Sequence, residues 1–159
     1  MKTKRPVIAV IGSANPSPYS EELAFDVGRL IGEGGGVLVT GGLGGVMTAA
    51  SRGCAEAGGL VIGILPGSDP SAANPFVDVA IPSGMGHARN ILVAQSAGAL
   101  IVVEGGLGTL SEAAIGLKTG RRVFCLNSNL QVDGIEAVAE PQQAVRAAFA
   151  AIKEGVNGS

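Results

Sequence analysis

Arg89 and Glu112 are the side chains of this chain best suited to chemistry on a phosphorylated small molecule. Arg89 lies in Gly84-Met85-Gly86-His87-Ala88-Arg89-Asn90, near the start of an expected helix. A guanidinium there can grip a phosphate or carboxylate with its two-pronged fork. A solvated position on an exposed helical face is the other reading. Glu112 closes Thr109-Leu110-Ser111-Glu112, a capping-box pattern with Thr109 as N-cap. A carboxylate held in that way is also pre-oriented. It could direct water or stabilise an oxocarbenium-like centre. Glu104 ends an apolar run and reads either as a ribose-binding or pKa-raising acid, or as a solvated strand-end carboxylate. His87 could serve as a general base or simply occupy a loop. Ser13 and Asn15 could bond a ligand or stabilise an Asx-type turn. Met47 packs in the core or lines a base pocket.

Glycines surround these residues. Gly41-Gly42-Leu43-Gly44-Gly45-Val46-Met47 follows one apolar run, and Gly105-Gly106-Leu107-Gly108-Thr109 follows another. Gly12-Ser13 ends a third. Glycine removes the side chains that would hold a ligand away. The first turn of a following helix adds unpaired N–H groups and the positive end of its dipole. Each corner therefore suits a phosphate. The expected binding set is Gly12, Ser13, Gly41, Gly42, Gly44, Met47, Asn90, Gly105, Gly106, Gly108 and Thr109, with Arg89 and Glu112 as the reactive pair.

The elements that must position these groups are legible as apolar runs. Val7 to Gly12, Gly36 to Thr40, Leu60 to Leu65, Phe76 to Ile81, Ala99 to Val103 and Arg122 to Leu126 read as six strands, continuous rather than alternating in polarity. Between them, helices are expected from Pro18 with Ser17 as cap, over Val46 to Ala57, over Gly86 to Ser96, from about Thr109 to Leu117, and from about Pro141 to Lys153. Alternating strands and helices predict an α/β protein, a mainly parallel sheet flanked by two helical layers. Ligands then sit outside the carboxyl ends of the strands, where the strand order switches.

Composition narrows the function. The 159 residues suit one domain spanning 1–159. A net charge of −2 gives no global field for nucleic acid, so no nucleic-acid partner is expected. No apolar run reaches membrane-spanning length, no membrane partner is expected, and the cytoplasm is the expected location. Two distant cysteines and one histidine argue against a metal site. The first strand is not followed by G-x-G-x-x-G, and G-x-x-x-x-G-K-[ST] does not occur. Dinucleotide redox chemistry and P-loop phosphoryl transfer are both disfavoured.

The GG-x-G-G-x-M corner, the Ala88-Arg89-Asn90 segment and the G-G-x-G-T-x-x-E run, in that order, resemble the Lonely Guy and lysine-decarboxylase-like superfamily. The resemblance covers most of Val7 to Leu126. It implies a Rossmann-like three-layer sandwich. It also implies a nucleoside 5'-monophosphate phosphoribohydrolase releasing free base and ribose 5-phosphate, with Arg89 and Glu112 as the catalytic pair. Two departures stand out: Glu104 replaces the pattern's proline, and Asn90 replaces a lysine. The Gly12-Ser13-Ala14-Asn15-Pro16 loop and the Ala88-Arg89-Asn90 triplet look closer to a bacterial branch similar to the molybdenum-cofactor carrier proteins. That branch implies the alternative, a non-catalytic nucleotide or molybdenum-cofactor carrier. No cofactor is required on either reading, and the bound molecule would be a nucleotide monophosphate or molybdopterin. A homodimer or higher homo-oligomer is the implied assembly.

Overall fold

The computed structural model describes residues 2–157. Strands and helices alternate along most of the chain, with β3–β4 and β6–β7 consecutive: β1 (Val7–Gly12), α1 (Pro18–Glu33), β2 (Val37–Thr40), α2 (Val46–Glu56), β3 (Leu60–Leu65), β4 (Val79–Pro82), α3 (Arg89–Ser96), β5 (Ala99–Val103), α4 (Leu107–Lys118), β6 (Arg122–Leu126), β7 (Ile135–Ala137) and α5 (Pro141–Asn157). Short 3-10 turns at Pro70–Ala72 and Gly86–Ala88 complete it. All strand pairs are parallel, in the order β4-β3-β2-β1-β5-β6-β7. The expected α/β architecture is therefore present, with a sheet that is wholly parallel.

The core explains the uninterrupted apolar strands. Ile8, Val10, Leu38, Ile101 and Phe124 face one helical layer, where α1, α2 and α5 supply Val27, Ile31, Ala50, Ala144 and Ala148. Ala9, Ile11, Val39, Leu100 and Val102 face the other, where α3 and α4 supply Val93, Ala94 and Ala113. Burial on both faces leaves no position for a polar alternate. The sheet reverses its order of growth between β1 and β5, which places the switch point at their carboxyl ends.

Four local expectations are corrected. The fourth strand starts at Val79, because Asn74 accepts from the Phe76 N–H at 3.1 Å and Asp78 accepts from the Val61 N–H at 2.8 Å, which turns the preceding segment away. A seventh strand, Ile135–Ala137, carries no apolar run to announce it. The helix expected from Gly86 begins as a 3-10 turn and becomes α-helical at Arg89. The last helix runs on to Asn157.

Candidate functional site

The loops after β1, β2 and β5 meet the 3-10 turn before α3 at the carboxyl edge of the sheet. They enclose a cavity of about 320 Å³, within the size range of small-ligand sites. Its lining includes Gly12, Ser13, Gly41, Met47, Arg89, Asn90, Gly106, Gly108, Thr109 and Glu112. Residues from four separate sequence regions thus converge on one space. Gly42, Gly44 and Gly105 do not line it. Gly42 faces Leu65, Gly44 has no neighbour within 4 Å of a Cβ, and Gly105 backs onto the Thr109 side chain.

The two glycine corners differ in kind. In the first, the Gly42 N–H already donates to Thr40 Oγ1 at 3.0 Å, and the first amide of α2, Val46 N–H, donates to the Ser13 carbonyl at 3.0 Å. That corner also makes room. A Cβ on Gly41 would meet Arg89 Nη2 at 2.7 Å and Met47 Sδ at 2.8 Å, so only glycine lets the guanidinium lie there. In the second corner, α4 starts from Gly106 with no side-chain cap. Among the described residues, nothing accepts from the N–H groups of Leu107, Gly108 and Thr109. Leu107 is 87% exposed, which leaves the lip of this corner open. The capping box expected from Thr109 is therefore corrected. Thr109 sits at the third helical position, buried against Gly105, with Glu112 deeper in the helix. A cap hydroxyl would have occupied the amides that are open here.

Arg89 is half-buried. Its Nη1 donates to Asn90 Oδ1, its Nη2 reaches the Gly41 carbonyl at 3.4 Å, and its Nε is buried with no partner. Burial pushes the guanidinium below its usual range, an effect that the nearby Glu112 carboxylate opposes. Glu112 is 8% exposed, and among the described residues it forms no hydrogen bond or direct ion pair. Burial raises its carboxyl to about 7, with Arg89 pulling the other way. A carboxyl so balanced can donate or accept a proton near neutrality. Asn90, expected to touch ligand, lines the cavity and also holds Arg89.

His87 lines the same cavity, which its loop reading did not require. The signal for it was its place two residues before Arg89. Asn15 turns its backbone onto Ser13 Oγ at 3.0 Å, which is the turn-stabilising reading. Glu104 is neither a cavity acid nor simply solvated. Its carboxylate accepts from the Ser17 N–H at 3.2 Å and from the Ser17 hydroxyl at 3.0 Å.

A wholly parallel sheet with its cavity at the β1/β5 switch point and an open helix amino end beside it defines a Rossmann-like α/β protein. A model of the SLOG cluster 4 family matches residues 5–153, and the chain belongs to that family. An uncharacterized protein of Archaeoglobus fulgidus is 45% identical over 138 residues, spanning 87% of this chain and 91% of the relative. The molybdenum cofactor binding protein of the phototrophic bacterium Rippkaea orientalis has the same fold, with a TM-score of 0.89 and 33% identity over 95% of this chain and 99% of its own. The molybdenum cofactor carrier protein of Chlamydomonas reinhardtii gives 0.86 and 33% over 94% and 99%. These findings agree with the resemblance to the carrier branch drawn from the Gly12–Pro16 loop and the Ala88-Arg89-Asn90 triplet.

Proposed function

We propose that this protein binds and carries a phosphorylated pterin of the molybdenum-cofactor type, with the phosphate at the amino end of α4. The observation that carries this reading is a run of α4 amides without acceptors beside a cavity that the Arg89 guanidinium also lines. Unpaired amides at the amino end of a helix, with the positive end of its dipole, form a ready site for an anion. An anion with several oxygens can accept from these amides and from the guanidinium beside them. Glu112 adds a group that can donate to or accept from a heterocycle edge. The likeness to proteins named as binding or carrying molybdenum cofactor supports this cargo. The roles of Gly106, Gly108 and Thr109 as the phosphate cradle, and of Arg89, Asn90 and Glu112 as side-chain contacts, are part of the proposal. So is a homo-oligomeric assembly in the cytoplasm.

The test is direct. Molybdenum cofactor released from a molybdoenzyme is incubated anaerobically with the protein and passed through a desalting column. Molybdenum and pterin fluorescence should elute with the protein in a ratio near one. Elution of both with the salt would sink the carrier reading. Glu112 beside Arg89 favours a second reading, hydrolysis of a nucleoside 5'-monophosphate to base and ribose 5-phosphate. Free adenine from AMP in the wild type, lost in Glu112→Gln, would support it.

A further inference from the structure

Helices α1, α2 and α4 are among those that bring their amino ends to the carboxyl edge of the sheet. In doubly wound folds that bind dinucleotides, the pyrophosphate sits at the amino end of the helix after the first strand. Here that end is already served. Pro18 at the first position has no N–H, and the Ser20 N–H donates to Ser17 Oγ at 3.2 Å. The Ser17 N–H and hydroxyl both donate to one oxygen of Glu104. An acidic side chain from another strand thus stands where the first phosphoryl groups of a dinucleotide would stand.

Glu104 is held there from every side. Its N–H donates to the Leu126 carbonyl at 3.1 Å, and its carbonyl accepts from the Ser13 N–H at 2.9 Å. Its backbone is left-handed, with φ of 43°, a conformation that costs a non-glycine residue about 1 kcal/mol or more and persists only when neighbours enforce it. The Ser20 hydroxyl and the Ser17 N–H hold its carboxyl below the usual range, so the group is charged at neutral pH. The next residues are Gly105 and Gly106, which lead into the open amides of α4. One helix end is closed by an internal anion, and the neighbouring one is left for an external anion.

We infer that Glu104 is a specificity-determining residue: its carboxylate closes the amino end of α1 to phosphoryl groups, so that the site admits a phosphomonoester at α4 and disfavours pyrophosphate-bearing ligands such as dinucleotides. This rests on the reading of α4 as the phosphate subsite. A ligand bringing a second phosphoryl group toward α1 meets like charge, and the Ser17 and Ser20 donors there are taken. Glu104 makes no cavity contact of its own, so its effect is electrostatic exclusion rather than grip.

Isothermal titration with inorganic phosphate and with pyrophosphate tests it, using the wild type, Glu104→Gln and Glu104→Ala at low ionic strength, with thermal melts to verify folding. Gln keeps an acceptor for Ser17 and removes the charge. The expected result is a selective tightening of pyrophosphate in Glu104→Gln, by roughly threefold to tenfold given the exposure of the carboxylate, with phosphate changed less than about twofold. The gain should shrink in 0.5 M salt. An unchanged pyrophosphate-to-phosphate ratio in both folded variants, or an equal change in both ligands, overturns the inference and leaves the α4 subsite standing. A wild type that binds neither anion overturns the α4 reading, and this inference with it.

Discussion

Arg89 carries a conflict that a ligand would resolve. Its guanidinium is desolvated, one nitrogen lacks an acceptor, and the facing carboxylate does not pair with it directly. Replacing it with an apolar side chain of similar length removes an unmet polar group. Arg89→Met is therefore expected to melt at the same temperature as the wild type or higher in the absence of ligand. The same variant should bind a phosphorylated ligand about tenfold to hundredfold more weakly, the range for losing a charged hydrogen bond. A clear fall in melting temperature would show that Arg89 is structural. Glu112 makes a different prediction. Its folded value of about 7 lies above its ordinary value of 4.5, so between those two the folded state binds more protons than the unfolded one. Its stabilising contribution is complete below about pH 4.5 and is lost as pH rises through about 7, a span on the order of 3 kcal/mol. Urea denaturation from pH 5 to 8 should show wild-type stability falling over this window, with a flatter profile in Glu112→Gln and a more stable variant at pH 8. Parallel profiles would place the carboxyl in a wetter setting than its burial indicates.

Among the elements, α1 and α2 are packed backbone to backbone. Gly28 and Gly53 sit at the crossing, where a Cβ on Gly28 would run into the Ala50 carbonyl and one on Gly53 into the Phe25 carbonyl. Gly53→Ala must push the helices apart and is expected to cost about 2 kcal/mol or more by chemical denaturation. Gly44→Ala, at a position with open space and no left-handed backbone, should stay within about 0.5 kcal/mol of wild type. Equal costs at the two sites would contradict the close crossing. The glycines of this chain thus have unlike tasks, although they look alike on the page. Those at Gly41 and Gly105 admit neighbouring side chains, and that at Gly53 admits a helix. Spacing exposed the strand–glycine–helix corners. It could not say which amides a neighbouring carbonyl or hydroxyl had already claimed, because Thr40 and Ser13 act across turns rather than along a helix. The capping box failed for the same reason: Thr109 buries its side chain against Gly105, a contact that the local pattern does not encode.

At the scale of the whole molecule, the two ends of the sheet divide stability from binding. At the amino end, Arg121 donates to the Gln95 carbonyl at 2.7 Å, the Ala97 carbonyl at 3.0 Å and the Thr119 carbonyl at 3.1 Å, tying off α3 and α4. Arg121→Ala should lower stability by about 1–3 kcal/mol. Its effect on phosphate affinity, measured by titration, should stay under about twofold, because the cavity lies at the opposite edge. A comparable loss of affinity would mean that the two ends are coupled. No described helix is long and apolar enough to cross a membrane. The sequence by itself determined the α/β alternation, the double-sided burial of the strands and the corners where loops leave the sheet, because apolar periodicity and glycine placement are local properties of the chain. It also marked Arg89 and Glu112 as reactive candidates. Only the tertiary structure decided that they share one cavity, that the first amides of α4 meet no acceptor among the described residues, and that Glu104 reaches across to Ser17. Those facts depend on strand order and on contacts between residues as far as 87 positions apart, and neither is written in any one stretch of sequence.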